Sequence, residues 1–171
     1  MPTPAYMSVN GTTQGLITAG AFTADSVGNI YQEGHEDECI VQAFKHEVII
    51  PRDPQSGQPT GPRVHQPVII TKVYDKASPL LYNALTSGEV LTEVVIKWFR
   101  TSMAGKQEHY FTHTLTDAVI VSINANMPNC QDPGLAHFTH LEEVAMTYRK
   151  IVWTHEVAGT SGDDDWRVPK T

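Results

Sequence analysis

The chain predicts a mainly β fold: antiparallel strands forming a barrel or a sandwich, with one short helix laid against them. Three observations carry that expectation. Apolar residues alternate with period two along most of the chain, as in Val94, Ile96 and Trp98 against Leu91, Val95 and Phe99. One clear segment, ending at Gly88, shows helical spacing between start and stop signals. Elsewhere glycine, proline and asparagine punctuate the chain as hairpin turns do.

Ala5 to Val9 reads as a short strand ending at the turn signal Asn10-Gly11. Val27 to Gln32 is a further strand candidate, weakened by Gly28-Asn29. Glu38 to Ile50 reads as one long strand. Ile40, Phe44, Val48 and Ile50 lie on one face, and the other face mixes Lys45 and Glu47 with Val41 and Ile49. A strand apolar on both faces is suited to being covered by its own core and by a neighbouring subunit. Pro51 to Pro67 holds five prolines and two glycines in seventeen positions, which excludes a paired strand and predicts a long extended loop. It is read as an arm that projects onto another chain, with a flexible insertion as the alternative.

Val68 to Tyr74 is a strand. The helix is expected over 79–87, with Ser78 as its cap, Pro79 in its first turn and Gly88 as its stop. Leu80, Leu81, Ala84 and Leu85 form its apolar stripe, and so short a helix must dock on the sheet to be stable. Glu89 to Arg100 is a strand, joined by the turn Met103 to Lys106 to a strand from Gln107 to Thr114, with strand character resuming from Leu115 to Ala125. Asn126 to Ala136 is a second loop, and Phe138 to Val157 a closing strand or pair of strands. The Gly-rich and Asp-rich tail from Ala158 to Thr171 is either mobile or pinned by Trp166.

The 171 residues suit a single domain, with neither disulfide nor structural metal needed for its core. The charged fraction of 18% is below the roughly 25% of globular chains, which fits a surface partly covered by partners and also a Thr-rich and Gln-rich β surface. Net charge is −7 and the twelve Lys and Arg are scattered, so no nucleic-acid partner is expected. The N-terminus lacks the basic and apolar regions of a secretory signal, and no stretch approaches the roughly 20 apolar residues of a membrane span. Cys39 and Cys130 are read as reduced thiols without a role.

The chemistry-bearing residues do not assemble a catalytic motif, and no enzyme activity, cofactor or metal is expected. His109 and His113 have the spacing of a zinc helix but lie in a strand, where four residues span about 13 Å. Tyr110 stands where H-E-x-x-H requires glutamate. Gly159-Thr160-Ser161-Gly162 lacks the spacing of a nucleophile elbow. The acids from Glu33 to Glu38 lack the ligand order of a calcium loop and read as a solvated turn or an interface patch.

Five stretches, in order, carry a family resemblance: QGLITAGAFTADSVGNIYQEGHED (14–37), DPQSGQPTGPRVHQP (53–67), DKASPLLYNALTSG (75–88), VIKWFRTSMAGKQEHYFTHTLTDAVIV (95–121) and EEVAMTYRKIVWTHEVAGTSGDDDW (142–166). Together they resemble the haemolysin-coregulated protein (Hcp) family, the tube subunit of type VI secretion. The resemblance implies a compact β-barrel with a lateral helix. Some members of the family carry a C-terminal toxin domain, and with the sequence stopping at Thr171 none is expected here. It also implies hexameric rings that stack into a tube, and three partners: a spike at the tip, a contractile sheath, and effectors in the channel. Such a protein is made in the cytoplasm and expelled without a signal peptide. In that setting the arm is the natural ring-to-ring contact, with Arg52, Asp53, Gln55, Gln58, Arg63 and His65 as candidate contact residues. Arg52, Asp53 and Arg63 are expected to form charge pairs across the junction. The alternative is a monomeric barrel that binds a small molecule in its interior.

Overall fold

A computed structural model describes residues 2–169. Eleven strands, β1 (Ala5–Gly11), β2 (Gly15–Leu16), β3 (Cys39–Lys45), β4 (Val48–Ile49), β5 (Val64–His65), β6 (Val68–Val73), β7 (Leu91–Thr101), β8 (Gln107–Asn126), β9 (Leu141–Thr147), β10 (Lys150–His155) and β11 (Thr160–Asp165), are joined by the helices α1 (Ala24–Val27) and α2 (Ser78–Ser87). The antiparallel pairings run β8-β7-β1-β3-β6-β9 and return from β9 to β8, so the sheet closes on itself. Closure removes the free edges of the six closing strands, while β11, paired with β10 alone, keeps one.

The twenty-residue β8 makes closure possible. Residues 111–116 pair with β10, and residues 119–126 pair with β9. Between them Asp117 takes a positive φ of 51°, a conformation aspartate tolerates better than most residues. Arg149 Nε donates to Asp117 Oδ2 at 2.8 Å, and the Arg149 amide donates to the Thr116 carbonyl. The closing segment is therefore a pair of strands, β9 and β10, split at Tyr148 and Arg149. β11 extends β10 outward along the barrel wall.

The interior is filled by inward-facing residues of every closing strand, among them Met7, Val9, Ile70, Ile96, Leu115 and Met146. α2 packs Leu81 and Ala84 into the same core, and Leu80 and Leu85 flank it. Full burial of Leu81 contributes about 2 kcal/mol to that docking.

The structure departs from the sequence expectation in several places. Residues 24–30 form α1 and a 3-10 turn instead of a strand, because Gly28 at φ 66° breaks extension and the Ser26 and Val27 amides turn back onto the Thr23 carbonyl. The segment from Glu38 to Ile50 is two strands. β3 ends at Lys45, and β4 leaves the barrel to pair with β5. Ser78 is the first residue of α2, not its cap. The preceding Asp75 carboxylate accepts the Ala77 amide instead, while Ser78 Oγ accepts the Asp75 amide. Gly88 does end the helix in the left-handed conformation.

Lys72 is fully buried inside the barrel beside α2. Its Nζ donates to Asp75 Oδ1 at 3.0 Å, to Ser78 Oγ at 3.1 Å and to Glu142 Oε1. Lys72 and Glu142 face each other across the β6–β9 ladder. Burial works against the ammonium, but Cys39, Asp75 and Glu142 outweigh it and hold its pKa above the usual lysine value. The Cys39 thiol is itself pushed well up by burial and by Asp75.

Candidate functional site

The strand register defines two ends of the barrel. Lys45, Val68, Trp98, Phe111 and His155 lie at one end, and Gly11, Val73, Leu91 and Asn126 lie at the other, beside α2. The arm leaves from the first end. It is a hairpin closed on itself, with Val48 opposite His65, Ile49 opposite Val64 and Arg52 bridged to Pro59. Its tip is a tight turn around Asp53, which donates its amide to the Gln58 carbonyl at 2.8 Å. The Asp53 carboxylate accepts the Gln55 amide at 2.9 Å and the Ser56 hydroxyl at 3.0 Å, and these bonds hold its pKa below the usual range. Gly57 supplies the positive φ that the turn requires.

Along the arm Val48, Ile49 and Ile50 are exposed, Ile50 by 57%. Arg52, Gln55 and Gln58 are exposed near the tip, with Asp53 partly so. Arg63 and His65 are placed differently: both are engaged within the chain. Arg63 Nε donates to Asp164 Oδ2 at 2.5 Å, and Nη2 donates to the Asp165 and Val168 carbonyls at 3.0 and 2.8 Å.

His65 is buried at the centre of a hydrogen-bonded chain. Its Nε2 lies 2.6 Å from Asp164 Oδ2 and its Nδ1 lies 2.6 Å from Tyr148 Oη, which lies 2.7 Å from His46 Nε2. Arg63, first, and His65 hold the Asp164 carboxyl down at about 2. Burial, first, and the Asp164 charge push the Tyr148 phenol up, so it remains protonated. Burial and the neighbouring His65 lower the His46 pKa. Beside them Trp98 Nε1 donates to His113 Nδ1 at 2.8 Å, and burial with repulsion from His46 lowers His113 to about 4.

Within the tail, of which residues 170–171 lie outside the described residues, Thr160–Asp165 is thereby pinned as a strand. Trp166 Nε1 donates to the Tyr148 carbonyl, Lys150 sits 3.5 Å from Asp163, and Arg149 pairs with Asp165. Between the arm and this tail lies an open groove of about 710 Å³ lined by Ile50, Pro62, Arg63, Val64 and Trp166. Sequence reading missed His46, Tyr148 and Asp164. The available signal was weak: three polar residues far apart in the chain, each next to an apolar or acidic run. Among the described residues, no group of three or more His, Cys, Asp or Glu is placed to hold a metal ion.

Residues 6–155 match the family model described as "Type VI secretion system effector, Hcp". The chain belongs to the Hcp family. It is 75% identical to a "Major exported protein" of Pseudomonas aeruginosa over 169 residues, which is 99% of this chain and 98% of that protein. A solved Hcp crystal structure superposes with a TM-score of 0.91 at 52% identity, covering 96% of this chain and 99% of that one. A secreted Hcp3 protein from Pseudomonas aeruginosa gives 0.83 at 65% identity, covering 97% and 99%. The Hcp match ends at His155, so β11 and Asp164 lie beyond it.

Proposed function

We propose that this Hcp is a structural subunit of the type VI secretion tube. It forms hexameric rings, the rings stack head to tail, and the tube carries effector proteins in its channel. The arm carries this reading. It is a self-closed hairpin at one end of the barrel, outside the closed sheet, and it exposes Val48, Ile49 and Ile50 in a row. The opposite end exposes Tyr74, Tyr82 and Phe138. Apolar surface at two different ends suits a contact in which one patch of each copy meets another patch of the next, the kind that repeats along an axis. The exposed arm tip then supplies Arg52, Asp53, Gln55 and Gln58 to the junction, while Arg63 and His65 hold the arm from below.

In this role the protein is made in the cytoplasm and expelled with the tube when the surrounding sheath contracts, with a spike protein at the tip. The names of the exported and secreted relatives support export. No helix among the described residues is long and apolar enough to cross a membrane.

Light scattering after size exclusion, with negative-stain microscopy of the same peak, tests the reading. Rings of six chain masses are expected, stacking at high concentration. A variant with residues 52–59 replaced by Asn-Gly, joining Pro51 to its partner Thr60, is expected to keep the rings and lose the stacks. Stacks from that variant would overturn the arm's role, and a wild-type chain that stays monomeric would overturn the tube.

A further inference from the structure

We infer that Asp164 is the positioning residue for the arm, holding it at a fixed attitude through the chain Asp164–His65–Tyr148–His46. The inference rests on the stacking role proposed above, and it names the part of the chain that makes the arm rigid.

The chain starts at the carboxylate. Arg63 Nε donates to Asp164 Oδ2, and the ionised carboxylate can only accept. His65 Nε2 therefore carries a hydrogen and donates it to Asp164. His65 Nδ1 shares the next hydrogen bond with Tyr148 Oη, and Tyr148 Oη shares the one after it with His46 Nε2. His65 ends the returning strand of the arm and His46 precedes the outgoing strand, so both feet of the hairpin are fixed. Tyr148 belongs to the break between β9 and β10, which ties the feet to the barrel wall.

Outside this chain, Arg63 Nη2 ties the arm to the Asp165 and Val168 carbonyls. The arm's two-residue strands pair only with each other, and Gln66 N donates to the Glu47 carbonyl at its foot. An isolated two-stranded hairpin is marginal in water, so this arm needs its base. A hairpin held in its docking attitude also loses less freedom when it meets a neighbouring ring. The carboxylate comes from β11, a strand that does not take part in barrel closure. Removing its charge therefore frees the arm and leaves the closed sheet standing.

Hydrogen–deuterium exchange of Asp164→Asn and Tyr148→Phe, read peptide by peptide, separates these effects. Asp163→Asn, on the same strand but facing Lys150, is the control. In both test variants the Asp53, Gly57, Thr60 and Gln66 amides are expected to exchange at least about tenfold faster, with β1 and β7 amides unchanged, since a ΔΔG of roughly 1.4 kcal/mol is a factor of ten. Rings should persist and stacks become rarer. Unchanged arm exchange in both variants overturns the inference, as does faster arm exchange with normal stacking. Equal acceleration across arm and barrel also overturns it, because that is a general loss of stability. If Asp164→Asn fails to fold, Tyr148→Phe, which removes one hydroxyl, decides by itself. Wild-type rings that never stack would count against the stacking role, and the exchange of the arm would still decide whether Asp164 holds it.

Discussion

Acid should weaken this protein through His113 before any carboxylate in the arm's base is protonated. The imidazole accepts the Trp98 indole N–H at Nδ1 and is held at about 4 against an ordinary 6.5, chiefly by burial and then by repulsion from His46. A histidine with a lowered native pKa refuses a proton that the unfolded chain takes. Its contribution is complete above pH 6.5 and drains away as pH falls through 6.5 towards 4. At roughly 1.4 kcal/mol per pH unit, the native state loses about 2 kcal/mol between pH 7 and 5, and about 3 kcal/mol by pH 4. Asp164, held at about 2 against an ordinary 3.8, acts in a separate and lower window. The assay is urea unfolding at pH 7, 6, 5 and 4.5, at one protein concentration because ring dissociation adds a concentration term. The comparison is His113→Asn, whose amide oxygen can accept from Trp98 and does not titrate. Its stability should fall by about 2 kcal/mol less than that of the wild type from pH 7 to 5. Equal slopes would refute the assignment of acid sensitivity to His113.

Two further substitutions probe the fold, beside the arm and base variants above. Lys72→Met leaves Asp75 and Glu142 buried without their cation and should destabilise the protein by about 3–5 kcal/mol in denaturant unfolding. A loss under about 1 kcal/mol would mean that the cluster is not held as an ion pair. Gly88→Ala places a side chain at φ 68° at the end of α2, and should lower stability by about 1 kcal/mol by the same measurement. A neutral result there would show that the helix end adjusts without strain.

The sequence determined what depends on near neighbours. Period-two alternation along β6, β7 and β8 gave the strands, because a strand's two faces repeat every second residue. The run from Ser78 to Gly88 gave the helix, since the first turn and the left-handed stop are local chemistry. The prolines of 51–67 marked a break from the main sheet, because they remove donors wherever they stand, but the expected loop is a hairpin in which Val64 and His65 pair with Ile49 and Val48. Lys72, which the sequence reading did not single out, continues the inward positions Val68 and Ile70, where a lysine needs a buried partner. Only the tertiary structure decided which partners those were, since Glu142 lies seventy residues away. It also decided that the aspartates of 163–165 form a strand against β propensity. Lys150, Arg63 and Arg149 neutralise them, and none of those cations is near enough in sequence to be foreseen. Arg63 and His65 read as exposed arm residues for the same reason: a side chain's direction in a hairpin follows from what waits across space, and Tyr148 and Asp164 come there only when the barrel closes.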